Sequence, residues 1–199
     1  MKTPLSLIKL ASDTLARGRY DSPDAIAEYG RLIMAESQHL ARLIDNVLCY
    51  ARINDTSSEY DFEAVDVVDL VQESLDRFAP QAKELGVDVQ LTTPPEPVLV
   101  YADHLMLVQV LDNLVDNALK YAASGRWLGV TVATVGARVR IEVADRGDGI
   151  PAAELPRLFE KFYRRKGTRH RGAGLGLAIV RRIVEDHRGT VTLTNEPGH

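Results

Sequence analysis

Cysteine is nearly absent: Cys49 is the only one in 199 residues. That excludes an intramolecular disulfide and a multi-cysteine zinc site. Long apolar runs are missing too. No stretch approaches the roughly 20 residues that span a bilayer, and no charged-then-apolar leader opens the chain. Positive charge is not in excess either. Lys plus Arg number 24 against 28 Asp plus Glu, a net charge of −4. An overall basic footprint for nucleic acid is therefore lacking, and such a role would need a local patch. What is present suits a folded protein. Hydrophobic residues make up 45% and charged residues 26%, which argues against disorder over most of the chain. The expectation is a soluble, reduced, cytoplasmic chain with no membrane segment and no nucleic-acid partner.

The chain reads as two unequal parts. Residues 5–54 are helical in pattern and almost free of glycine. Leu5, Ile8, Ala11 and Leu15 fall at helical spacing. A break follows at Gly18, and Ser22-Pro23 can cap and start a second, longer helix. Ile26, Ile33, Leu40 and Val47 recur every seven residues, with Tyr29, Leu43 and Tyr50 filling the other half of the pattern and Glu36 interrupting it. A lone hairpin has one seam to bury, and so long a stripe predicts a four-helix bundle made by two protomers. Packing of the stripe on the rest of the same chain is the alternative.

Residues 55–63 are polar and aperiodic, and read as a linker. Beyond them the pattern becomes mixed. A helix is predicted over Val67–Leu85, ended by Gly86, then short strands near Val87–Leu91 and Val98–Tyr101. Helix resumes over Asp103–Tyr121. Val130–Val135 and Arg138–Ala144 alternate around Gly136 as a β-hairpin. A helix near Glu154–Phe162, a basic loop, a helix over Leu175–His187 and a strand at Thr190–Thr194 complete the pattern. The order is helical hairpin, linker, then a layered α/β domain.

Three elements of the second part carry chemistry. Asp145-Arg146-Gly147-Asp148-Gly149-Ile150 follows a predicted strand. Its glycines allow a sharp turn and close approach of a flat ligand, and Asp145 can accept from an exocyclic amine such as that of adenine. A plain turn is the competing reading. Gly172-Ala173-Gly174-Leu175-Gly176-Leu177 opens a helix, where free N–H groups and the helix dipole favour phosphate. The run Arg164–Arg171 just before it holds five Lys or Arg in eight residues. A solvated loop is the bland account of that run; triphosphate binding is the functional one. Third, Asn113, Asn117 and Tyr121 fall near one helix face, four residues apart. An amide oxygen suits Mg²⁺, which takes few protein ligands alongside water and phosphate. Lys120 can reach a phosphate. Asp112 and Asp116 are expected to point away from the Asn113 face. A polar helix edge is the alternative for this element.

In this order the elements resemble the catalytic core of a bacterial two-component sensor histidine kinase. The N box matches at Asn113–Tyr121, the G1 box at Asp145–Ile150, the F box at Leu158–Arg164 and the G2 box at Gly172–Leu177. The 5–54 hairpin is similar to the family's dimerisation and phosphotransfer domain. The resemblance implies an α+β protein: a hairpin forming a dimeric four-helix bundle, then an α/β-sandwich ATP-binding domain of the histidine kinase/gyrase type. It implies domains over 1–54 and 64–199, a homodimer through 5–54, ATP and Mg²⁺ as cofactors, and a response-regulator receiver as partner.

Site roles follow from the same resemblance. Asp145 would recognise the adenine amino group, with Gly147, Gly149 and Ile150 shaping the pocket. Asn117 would ligate Mg²⁺, with Asn113, Lys120 and Tyr121 alongside the phosphates. Phe159, Phe162 and the basic stretch beginning at Arg164 would belong to a mobile lid over ATP. Gly172, Gly174 and Gly176 would hinge it, with Leu175 and Leu177 completing the box. Related ATPases of this fold carry a glutamate four residues before the metal-binding Asn, to activate water. Here that position is Asn113, and an amide takes no proton, which favours transfer to a side chain over hydrolysis.

The acceptor is the missing part. The family motif runs His, acidic residue, two residues, Thr, Pro, Leu, and the chain begins Met1-Lys2-Thr3-Pro4-Leu5. The acceptor would lie two positions before Met1. None of His39, His104, His170, His187 and His199 has the required context, so this chain holds no phosphoacceptor. Thr3 matches a position tied to phosphatase activity, although an N-cap explains Thr3-Pro4 equally. The C-terminal strand is expected to be cut short as well. The chain thus reads as a fragment whose parent is anchored in the bacterial inner membrane. The alternative is a degenerate nucleotide-binding scaffold that docks a receiver without chemistry.

Overall fold

The computed structural model describes residues 3–54, 59–121, 124–165 and 174–195. The chain divides into two units, Met1–Arg52 and Ile53–His199. Among the described residues no helix is long and apolar enough to cross a membrane.

The first unit is a helical hairpin of α1 (Pro4–Ala16) and α2, which begins at Pro23 and runs to Asn54. Thr3 caps α1: its hydroxyl accepts from the Ser6 N–H at 3.3 Å, and Pro4 takes the first turn, where no N–H is needed. Gly18, with φ of 62°, turns the chain. The Ser22 hydroxyl accepts from the Ala25 N–H at 3.2 Å and so starts α2. Tyr29, Ile33, Leu40, Leu43 and Tyr50 of the heptad stripe are half-buried. Ile26 and Val47 of the same stripe stay exposed, together with Met34, Ile44 and Leu48. One hairpin buries only part of so long an apolar surface.

The second unit opens with β1 (Phe62–Asp66), so Phe62 and Glu63 lie in a strand and not in the linker that the polar composition suggested. The reason is long-range: β1 pairs antiparallel with β3 (Leu99–Asp103), Phe62 opposite Asp103 and Asp66 opposite Leu99. Residues 55–58 of the expected linker lie outside those described. Helix α3 (Val67–Leu85) is capped by the Asp66 carboxylate, which accepts from the Val68 N–H at 2.9 Å, and ends at Gly86 with φ of 65°. Strand β2 (Asp88–Thr92) does not pair with its sequence neighbour β3. It runs parallel to β4 (Trp127–Val135), which pairs antiparallel with β5 (Arg138–Asp145) through the turn at Gly136. Helix α4 (His104–Tyr121) packs on α3 and on α5 (Gly176–Asp186). Val67, Val71, Leu111, Val115, Leu119, Leu128 and Val130 form the buried heart of the unit.

Two predicted elements are not formed. In place of a helix over Glu154–Phe162 there is only a short 3-10 turn at Leu155–Arg157. Pro156 removes a helical donor, and Phe162 sits at φ of 62°, outside helical space. Thr190–Thr194 alternates half-buried and exposed side chains but is not a strand, because alternation without a ladder partner leaves the backbone unpaired. Among the described residues no such partner is present.

The first strand is tied to the end of α5 by a small polar-aromatic cluster. The Asp103 N–H donates to Nε2 of His187 at 3.0 Å, which fixes the proton on Nδ1; that N–H then donates to the Ile183 carbonyl at 2.8 Å. The His187 ring also packs against Tyr60 and Phe62, and the Tyr60 hydroxyl donates to Asp186 at 2.6 Å. Asp103 is only 2% exposed. Substituting His187→Phe keeps the ring but removes the acceptor for a buried N–H. We expect a loss of about 1–3 kcal/mol, read as a lower midpoint in urea. An unchanged midpoint would show that the N–H finds another acceptor.

Candidate active site

Helix α4 brings the polar face to the site. Asn113 is 7% exposed, and its Nδ2 donates back to the Gln109 carbonyl at 2.9 Å. Its Oδ1 lies against Gly176, the first residue of α5; a Cβ there would come within 2.8 Å of it. Glycine at 176 is thus what allows α5 to start beside α4. Asn117 and Lys120 follow on the same face, both half-buried, and among the described residues no hydrogen bond engages the Asn117 amide. Lys120 forms an ion pair with Asp116.

That pair corrects one expectation. Asp112 does point away: its Oδ1 accepts from Ser74 and Arg77 of α3, each at 2.7 Å. Burial works against the Arg77 charge, but the hydrogen bonds and charges of Asp112 and Glu73 outweigh it and raise its pKa. Asp116 instead stays near the Asn113 face, since three residues leave it only about 60° round the helix. It is buried and faces Lys120.

The turn after β5 meets the end of α4. A Cβ on Gly147 would come within 2.3 Å of the Tyr121 carbonyl oxygen, so only glycine permits this contact. The Asp145 carboxylate is exposed, and its Oδ1 accepts from the Gly147 N–H at 2.8 Å. Gly149 turns the chain with φ of 68°. Ile150 is half-buried.

The segment carrying Phe159, Phe162 and Arg164 reaches the same place. Burial raises the pKa of the Tyr121 hydroxyl, against the lowering charges of Arg164 and Arg165 and with a small lift from Asp116. Tyr121 therefore stays neutral through the physiological range. Phe159 is half-buried, whereas Phe162 is 67% exposed and held in the left-handed region. Its N–H donates to the Gly174 carbonyl at 2.8 Å. A Cβ on Gly174 would strike the Phe162 and Tyr163 backbone at 2.8 Å. Leu175 is buried in the core side of α5 and Leu177 is half-buried. Gly172 lies outside the described residues.

The face of α4, the turn at residues 145–150, the segment ending at Arg165 and the start of α5 thus converge. Thr3, on the other unit, is described above as an N-cap. Arg165, expected only as part of the basic run, donates to the Gly149 carbonyl at 3.0 Å; sequence reasoning missed Asn195, which accepts from the Ile150 N–H at 3.3 Å. The basic run pointed Arg165 toward phosphate and not toward the Gly149 carbonyl. No local pattern flagged Asn195.

Comparison with known proteins accords with this arrangement. Residues 1–56 match the family described as "His Kinase A (phospho-acceptor) domain". Residues 102–199 match "Histidine kinase-, DNA gyrase B-, and HSP90-like ATPase". The sensor-like histidine kinase SenX3 of Mycolicibacterium smegmatis is 32% identical over 201 residues, covering 100% of this chain and 52% of that protein. The chain thus spans about half the length of this curated relative. Among solved structures, the mycobacterial sensor histidine kinase MprB is 30% identical with a TM-score of 0.57, over 64% of this chain and 81% of that one. Histidine kinase ThkA in complex with the response regulator protein TrrA is 25% identical with a TM-score of 0.64, over 94% of this chain and 52% of that one. With an α+β fold, both family matches and this convergent site, the chain belongs to the sensor histidine kinases of two-component systems.

Proposed function

We propose that this chain is the ATP-dependent autokinase core of a two-component system. It would pass the γ-phosphoryl group of ATP to a histidine and from there to the aspartate of a response-regulator receiver. The observation that carries this is the convergence of the Asn113–Lys120 face with the Asp145–Ile150 turn and the start of α5. Phosphoryl transfer asks for positioning and charge neutralisation more than covalent chemistry. With Oδ1 of Asp145 engaged by Gly147, the other oxygen would be left to accept from the adenine amine. Lys120 would supply positive charge to the phosphates, and the backbone N–H groups at the start of α5 would be available to them. Asn117 offers one amide oxygen to magnesium, and among the described residues no cluster of three acidic, His or Cys side chains competes for the ion. Magnesium bound with the nucleotide supplies neutralisation of the phosphate charge. Asn113 cannot act as a base toward water, so hydrolysis is poorly supported.

The exposed apolar stripe of α2 supports a homodimer through residues 5–54, the hairpin also being the surface that would meet a receiver. Placement in the cytoplasm, on a parent held at the inner membrane, belongs to the same reading. A second reading, a nucleotide-binding scaffold, is favoured by the histidines. His187 is engaged in structure, His104 lies 3.9 Å from Glu73 at the start of α4, and His39 is on α2. None stands in an acceptor motif.

γ-Labelled ATP with Mg²⁺ separates these readings. One sample is this chain; the other carries a helix-forming extension ending in His-Asp before Met1. Label retained only by the extended protein is the expected result. Free phosphate from both without retained label would mean an ATPase. Nucleotide binding without label or turnover would leave the scaffold.

A further inference from the structure

We infer that Asn195 is a positioning residue for the base end of the nucleotide site, holding the Gly149–Ile150 turn in place; this rests on the kinase reading above. Asn195 belongs to none of the four boxes. Its Oδ1 accepts from the Ile150 N–H at 3.3 Å. The same amide lies against Gly149: a Cβ there would come within 2.7 Å of Oδ1 and 3.4 Å of Nδ2. On the carbonyl of the same peptide unit, Nη1 of Arg165 donates to Gly149 at 3.0 Å, and Arg165 is itself paired with Glu154 at 3.7 Å. Both polar groups of one peptide unit, the Gly149 carbonyl and the Ile150 N–H, are therefore held by side chains 16 and 45 residues away in sequence.

The turn needs such help. It lies past the last ladder pair of β5, Leu128 with Asp145. Gly147 and Gly149 give it freedom that only external contacts remove. Asp145, which the base would meet, is at its root. A turn free to drift spreads the distance between Asp145 and a base whose phosphates are held elsewhere. Asn195 thus acts on the adenine contact through Ile150, without touching nucleotide.

The consequence is selective. Loss of the amide should weaken recognition of the base and leave the phosphate contacts on α4 and α5 alone. The test compares ADP and GDP binding, with Mg²⁺, by calorimetry on the full chain and on Asn195→Ala and Asn195→Asp. Asp keeps an oxygen to accept from Ile150. The wild type should prefer ADP. In Asn195→Ala, ADP affinity should fall roughly five- to tenfold, about the effect of one hydrogen bond. GDP affinity should change little, so the ADP:GDP ratio drops. Asn195→Asp should restore most of the ratio. Equal weakening of both nucleotides, or an unchanged ratio in Asn195→Ala, would overturn the positioning role while the kinase reading stands. Failure of the wild type to bind ADP at all would overturn both.

Discussion

Gly147→Ala is expected to cut nucleotide affinity by roughly ten- to hundredfold. The new methyl would sit 2.3 Å from the Tyr121 carbonyl oxygen, 3.0 Å from its carbon and 2.9 Å from Oδ1 of Asp145. Two of these three atoms are backbone, at the last residue of α4, and cannot rotate away. Either the end of α4 or the 145–150 turn must retreat. Overpacking of this kind costs about 1–3 kcal/mol. Because the contact joins the element that carries Asn117 and Lys120 to the one that carries Asp145, the retreat separates the phosphate end of the site from the base end. Each 1.4 kcal/mol is about tenfold in affinity. Gly136→Ala is the control: it sits at a positive φ, 62°, which Gly147 does not, and nothing lies within 4 Å of its added Cβ. It should cost folding stability, of the order of 1 kcal/mol, and no affinity. Calorimetry with a non-hydrolysable ATP analogue, beside thermal melts, separates the two. Wild-type affinity in Gly147→Ala would mean that the turn does not need its contact with α4.

Much of this site was legible because its signals are local. Gly86 ends α3 and Gly136 turns the β4–β5 hairpin where the pattern put them, since both features rest on backbone conformations that neighbouring residues report. Asn113 and Asn117 share a face because a helix repeats every 3.6 residues. What failed was non-local. Phe62 pairs with Asp103, some forty positions on, and composition around a polar stretch does not announce a partner. Thr190–Thr194 has the alternation of a strand, yet alternation describes one face and supplies no ladder. The helix expected at Glu154–Phe162 failed for a local reason given too little weight, Pro156. Asp116 does not point away with Asp112, because three residues are nearly a whole turn and leave it close to the Asn113 face, against Lys120. Asn195 was invisible, because a single Asn in a terminal turn reads as a turn former until Ile150 is seen against it.

Asp116→Ala carries the largest expected cost in stability. Asp116 and Lys120 pair across one turn of α4, their side chains 12% and 22% exposed. Taking the carboxylate away leaves an ammonium in a mostly dry setting without the charge that balances it. Breaking a buried pair from one side costs about 3–5 kcal/mol, whereas replacing both partners with apolar groups of similar size is often close to neutral. The residual exposure of Lys120 lets water relieve part of the penalty, so about 3 kcal/mol is expected for Asp116→Ala. Lys120→Met in the Asp116→Ala background should then recover most of it, a strongly non-additive cycle. Function should move the other way. The double variant, folded again, lacks the cation proposed to meet the phosphates and should bind ATP worse than the single variant does under conditions where that variant is folded. Urea unfolding of the four proteins in the cycle reads the first effect and calorimetry the second. Additive costs would show that the two side chains are stabilised by their separate surroundings and not by each other. Full ATP affinity in the recovered double variant would take Lys120 out of the phosphate site, leaving Asp116 to hold a purely structural lysine.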